Sequence, residues 1–216
     1  PLPEWRVLEE LARLAGENLP AGKAFLGGGV RAHYVPPVVQ ALGSRGEFLT
    51  AYTPYQPEVS QGVLQATFEY QTMMAELTGL EVSNASMYDG ATALAEGVLL
   101  ALRETGRMGV LVSQGVHPEY REVLKTYLEA VGAELTTLPL EGGRTPLAEV
   151  PEGVGAVVAQ NPNFLGALED LAPLAEAAHR AGALFVAVVD PLSLSLLKPP
   201  GAYGADIAVG DGQVLG

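Results

Sequence analysis

The sequence has no cysteine, which excludes disulfides and thiolate metal sites and agrees with a reducing, cytoplasmic setting. Histidine is nearly as scarce. His33, His117 and His179 lie far apart, none with a metal-ligand spacing such as H-x-x-x-H, so no metal site is expected. Basic side chains number 12 against 25 acidic ones, a formal net charge of −13. A surface of that sign repels phosphate backbones, and nucleic acid is not an expected partner. Long apolar runs are missing as well. The longest, Ala183 to Val189, is far too short to cross a bilayer, and no basic segment followed by an apolar one suggests secretion. Neither a membrane nor an extracellular address is expected.

What is present is a globular composition. Hydrophobic residues make up 48% and charged residues 17% of 216, which rules out a disordered acidic chain and suffices for a sizeable core. Apolar residues at Val7, Leu8, Leu11 and Leu14 predict a helix over 4–14, ended by turn residues from Asn18 to Gly22. Gly27-Gly28-Gly29 reads as a permissive loop, and a short helix follows Pro36-Pro37. The stretch 43–57, rich in Tyr, Pro and Gly, reads as an ordered loop. A long helix is expected over 58–78, ending at Gly79, and another over 90–103.

Beyond residue 105 the pattern becomes regular. Strands are predicted at 108–112, 134–138, 156–159, 183–189 and 206–209, with helices at 118–131 and 171–181. Tyr120, Val123, Leu124, Tyr127, Leu128 and Val131 form one apolar stripe on the first of these helices. Continuously apolar strands alternating with helices imply an α/β fold with a mostly parallel sheet covered on both faces, a three-layer α/β/α architecture. The expected organisation is an N-terminal helix-and-loop segment over 1–35 and an α/β domain over 36–216. Both ends read as cut: Pro1 stands first, and 212–216 reads as an open loop, so the domain is expected to be truncated.

Sheets of this kind place ligands at the carboxyl ends of their strands. Asp190, directly after an apolar strand, could pair with a protonated ring nitrogen or a metal, or cap the turn at Pro191. Gly90, Ala91 and Thr92 open a helix; their N–H groups and the Thr92 hydroxyl could hold a phosphate, or Asp89 could be an ordinary N-cap. Tyr52 and Tyr55, in a proline-stiffened loop, could frame a planar ligand, anchor a partner, or pack the entry of the next helix. Gln160-Asn161-Pro162-Asn163 offers amides to a ligand, or plain turn chemistry. His117 could stack on a ring or be a turn residue. Arg31 and His33 could bind a carboxylate or lie on the surface.

Several of these segments together resemble the glycine cleavage system P-protein family. They are Tyr52-Thr53-Pro54-Tyr55-Gln56-Pro57-Glu58, Ser60-Gln61-Gly62, and Ser86 through Glu96 with its Tyr88-Asp89-Gly90-Ala91-Thr92 centre. Gln160 to Asn163, Asp190-Pro191-Leu192-Ser193-Leu194, Leu197-Lys198-Pro199-Pro200-Gly201 and Gly204-Ala205-Asp206-Ile207 extend the likeness. Within the family, the α subunit (subunit 1) of the split bacterial form is the nearest pattern. The resemblance implies the large domain of fold type I pyridoxal-phosphate enzymes. It also implies a role in glycine decarboxylation, in which the aminomethyl group passes to the lipoyl arm of H-protein. The family pattern places a ring-nitrogen aspartate at Asp190 and a phosphate-binding turn at Gly90-Ala91-Thr92.

One departure stands out. The resemblance implies a Schiff-base lysine a few residues after the strand at 206–209, but the sequence continues Gly210-Asp211-Gly212-Gln213-Val214-Leu215-Gly216. The only lysines are Lys23, Lys125 and Lys198. The resemblance then implies that pyridoxal phosphate sits on a partner β subunit, expected in an α2β2 assembly. Tyr52, Tyr55, Arg31 and His33 would reach that site, while Gly90, Ala91, Thr92, Asp190 and His117 would be a degenerate second one. A non-catalytic scaffold that keeps the fold is the alternative.

Overall fold

The computed structural model describes residues 1–18, 33–49, 53–147 and 149–216, in two compact units, Pro1–Tyr34 and Val35–Gly216. In the first unit the predicted helix forms as α1 (Glu4–Ala15), its polar side laced by Arg13 to Glu10 (2.7 Å) and Glu17 (2.5 Å). Arg31, the triple glycine and Tyr52 lie outside the described residues.

The second unit opens with α2 (Pro37–Gly43) and α3 (Gly46–Leu49), the latter a short helix inside a stretch expected to be loop. A 3-10 turn, Pro57–Val59, precedes α4 (Gln61–Thr78), so the long helix starts three residues later than its sequence suggests. It ends at Gly79, whose φ of 69° is the left-handed cap expected there. Then follow α5 (Gly90–Thr105), β1 (Gly109–Ser113), α6 (Pro118–Val131), β2 (Glu134–Leu138), β3 (Val154–Asn161), α7 (Ala172–Arg180), β4 (Leu184–Val189) and β5 (Ile207–Val209). The stretch 212–216, expected as open loop, contains a 3-10 turn at Gly212–Leu215 capped by Asp211.

All four strand pairings are parallel, in the order β2-β1-β3-β4-β5. The chain runs outward from β1 to β2 through α6, then returns past β1 and runs the other way from β3 to β4 through α7. Because parallel crossovers are right-handed, this reversal puts α6 and α7 on opposite faces. The packing shows it. Val110, Val112, Ala156, Val158, Val186 and Val188 face α5 and α6, while Leu111, Val157, Ala159, Phe185, Ala187 and Val189 face α7. The period-2 alternation of strands is thus apolar on both sides, as a covered parallel sheet requires. The three-layer α/β/α fold expected from sequence is the one observed. On α6 the apolar stripe holds at Leu124 and Leu128, but Val131, expected on it, is exposed beside the terminating Gly132.

At the edge where strands begin, Arg107 ties two layers together. Its Nη1 donates to the carbonyls of Val154 (3.2 Å) and Ala181 (2.5 Å), the start of β3 and the end of α7. His179 lies at this edge too, with Nε2 2.8 Å from Asp206, which also accepts the Phe185 N–H at 2.7 Å. Among the described residues no helix is long and apolar enough to cross a membrane, and no cluster of His, Asp and Glu is arranged to hold a metal ion.

Candidate functional site

The topological reversal opens a crevice between the carboxyl ends of β1 and β3, where such sheets take their ligands. The loops that follow these strands, with the ends of β4 and β5 and the start of α5, form the mouth of the sheet. His117, Gln160, Asp190, Gly90, Ala91 and Thr92 all belong to it.

His117 is fixed from several sides. Its backbone N–H donates to the Gln160 side-chain oxygen at 2.8 Å, and its Nδ1 accepts the Glu119 N–H at 3.2 Å as the N-cap of α6. Nδ1 as acceptor leaves the proton of the neutral ring on Nε2. The ring lies 5.1 Å from Tyr120 and meets Phe164 edge-on at 4.7 Å. Gln160, a possible ligand contact from sequence, thus serves here to place a histidine.

The rest of that loop is turn chemistry. The Asn163 Oδ1 accepts the N–H groups of Leu165 and Ala167, and its Nδ2 donates to the Gly143 carbonyl and the Glu169 carboxylate. Asn161 accepts the Glu169 N–H at 3.0 Å, and the peptide bond between Asn161 and Pro162 is cis. Glu169 also accepts the N–H and hydroxyl of Thr145, whose hydroxyl lies 2.7 Å from that of Ser113. This part-buried network ties the loop after β3 to Thr145 and the end of β1, assisted by the Phe164 N–H bonding to the Gly115 carbonyl at 2.8 Å. Sequence reading passed over Glu169, since its partner Thr145 is distant in sequence and no local motif joins them.

Asp190 ends β4 and accepts the Leu192 N–H at 3.0 Å, opening the 3-10 turn Pro191–Ser195. The capping reading is therefore realised at one of its oxygens. Asp89 caps α5 in a reciprocal box: its Oδ1 accepts the Thr92 N–H at 2.7 Å, while the Thr92 hydroxyl oxygen accepts the Asp89 N–H at 3.0 Å. Tyr55, by contrast, stands 86% exposed before α4, so it does not pack the helix entry. His33 is half-buried within its own unit.

Among the described residues, none supplies an amine close after β5 that could hold pyridoxal phosphate covalently. After β5 the chain passes the end of β4 so closely that a Cβ on Gly210 would stand 2.5 Å from the Val189 carbonyl oxygen, and residues 210–216 carry no lysine. Lys125 is on the exposed side of α6 beside Glu129, and Lys198 is an exposed loop residue before Pro199. Neither supplies an amine after β5.

Comparison with known proteins agrees with this architecture. The family model described as glycine cleavage system P-protein matches residues 1–216. The probable glycine dehydrogenase (decarboxylating) subunit 1 of Moorella thermoacetica is 53% identical over 220 residues, covering 100% of this chain and 49% of that protein. A crystal structure of glycine decarboxylase (P-protein) of the glycine cleavage system, in inhibitor-bound form, is 86% identical with a TM-score of 0.95, covering 100% of this chain and 49% of that one. The chain thus spans about half the length of the relatives it matches. Mouse CSAD, at 17% identity and a TM-score of 0.63 over 84% of this chain and 44% of its own, shares the fold alone. The fold is that of the large domain of fold type I pyridoxal-phosphate enzymes. On a match that runs its whole length, the chain belongs to the glycine cleavage system P-protein family.

Proposed function

We propose that this chain acts as the subunit without the Schiff-base lysine in a glycine decarboxylase, completing a pyridoxal-phosphate site carried by a second, β subunit in an α2β2 enzyme. The observation that carries the reading is a full-length family match joined to a sheet mouth with no amine after β5. An amine close after that strand is what a covalently attached cofactor needs. In this reading, 1–35 is an N-terminal segment and 36–216 the cofactor-fold domain. Glycine loses carbon dioxide at the shared site, and its aminomethyl group passes to the lipoyl arm of H-protein. The cofactor supplies the electron sink for the carbanion.

The work left to this chain is orientation. Tyr55 is exposed on a stiffened loop, suited to reaching across an interface with Tyr52 beside it in sequence. Arg31 and His33 are the candidates for holding a carboxylate. Gly90, Ala91, Thr92, Asp190 and His117 are a vestigial cofactor site. Mixing the full-length subunit with its β partner and assaying glycine–bicarbonate exchange tests the reading: exchange should need both chains. Full exchange by the β subunit alone would sink it. Tyr55→Phe and Tyr52→Phe should each lower turnover of the assembled enzyme; unchanged turnover would favour a scaffold that merely keeps the fold.

A further inference from the structure

A helix that opens a fold type I phosphate corner offers its first free N–H groups to an anion. At the start of α5 the Thr92 N–H is already engaged from within. The Asp89 carboxylate accepts the Thr92 N–H at 2.7 Å and the Thr92 hydroxyl at 2.8 Å. These bonds, with a weaker contribution from the Ala91 N–H, hold its carboxyl below the usual aspartate range. It is therefore a full negative charge at neutral pH, where a phosphate would bring its own.

Space is engaged as well as charge. Gly90 is buried, and any Cβ built on it would overlap the Tyr120 hydroxyl, so the volume beside the first turn is filled by a side chain from α6. Tyr120 lies against His117, the rings tilted by 33° with centroids 5.1 Å apart. A second carboxylate, Asp211, follows β5 and caps the 3-10 turn Gly212–Leu215. Burial first, then the charges of Asp211 and Asp89, push the Tyr120 phenol above its ordinary pKa, so both carboxylates act on this corner. The two acids and the tyrosine come from three separate elements.

Resting on the reading of a subunit without the Schiff-base lysine, we propose that this chain closes its own phosphate corner: Asp89 serves as a built-in anion on the α5 donors and Tyr120 wedges the space at Gly90. A phosphate-bearing cofactor is refused at this sheet mouth. Loss of the lysine alone would leave a corner still able to bind the free cofactor. The closed corner removes that possibility.

The test uses inorganic phosphate titrated calorimetrically into the full-length subunit, comparing wild type with Asp89→Ser and Asp89→Ser/Tyr120→Phe. Serine remains a good N-cap, so α5 keeps its start, and a thermal melt of each variant checks that it folds. Wild type should show no saturable uptake at millimolar phosphate, and the double variant should bind at least about tenfold tighter, roughly 1.4 kcal/mol. Asp89→Asn, which keeps the cap and removes only the charge, should gain less. Saturable binding by wild type as tight as the double variant's would overturn the proposal, as would a folded double variant that gains nothing. No glycine chemistry enters this readout, so its failure is separable from a failure of the exchange assay.

Discussion

Helices α4 and α5 have similar lengths, 18 and 16 residues, and both are rich in apolar side chains, yet they sit very differently. α5 buries Gly90, Ala91, Leu94, Ala95, Gly97, Val98, Ala101 and Leu102, whereas α4 buries no residue. The cause is side-chain size at the contact rather than apolar content. Small residues let the axis of α5 approach the sheet until a Cβ on Gly97 would stand 3.2 Å from Val209 and 3.3 Å from Ile207. On α4 the large side chains Phe68 and Met73 are exposed, while Tyr70 and Met74 are half-buried. It is fixed instead near its ends and along one side: Gln71 bonds the Ser83 carbonyl at 2.6 Å, and Gly79 meets Pro199 and Gly201. A helix apolar on several sides is ordinarily a buried one. Here it lies at the rim.

The largest effect should come from breaking the packed helix. Leu94 is fully buried, and Leu94→Ala should cost about 2–5 kcal/mol in urea unfolding, while Phe68→Ala, at a position 69% exposed, should stay within about 0.5 kcal/mol in the same assay. Equal losses would show that α4 is as much a core helix as α5. Next comes the anchor of α4. A Cβ on Gly201 would overlap the Gly79 carbonyl, so Gly201→Ala must shift backbone and should cost about 1–3 kcal/mol. An unchanged unfolding midpoint would mean that the crossing has slack.

The smallest effect is at the cap of α5. Asp89→Ala removes a reciprocal capping box and should cost about 1 kcal/mol at neutral pH. Because the folded carboxyl titrates below its unfolded value, this stabilisation is present above the ordinary aspartate pKa and is lost as pH falls through the lowered one. Melting curves of wild type and variant should therefore converge in acid. A gap that persists below both pKa values would assign the effect to something other than the ionised cap.

Much of this layout was legible in the residues. The bounds of α6 and β2 coincide with those expected, because Pro118 and Gly132 bracket one and Gly132 and Pro139 stand on either side of the other. The parallel sheet followed from strands without alternation. β3 was read four residues too short, since Gly155 and the polar pair Gln160-Asn161 do not look like strand although the neighbouring strands accept them. At the site, the capping roles of Asp89 and Asp190 were visible as alternatives. The Tyr120 wedge was not: Tyr120 read as core stripe, and nothing local says that its hydroxyl would meet Gly90. Glu169 and Arg107 escaped for the same reason, since their partners lie far along the chain. The exposure of α4 was equally hidden, because apolar content does not report which helix meets the sheet.

The contact between Gly79 and Gly201 has a consequence for the order in which the protein is made. Those glycines are separated by about 120 residues, and a ribosome delivers them in sequence. α4 leaves the exit tunnel well before the segment that meets Gly79 at its end exists. Strands β1 to β4 and helices α5, α6 and α7 all emerge before Gly201, and β5 after it. The contact that fixes the end of α4 therefore forms late among those of residues 1–216.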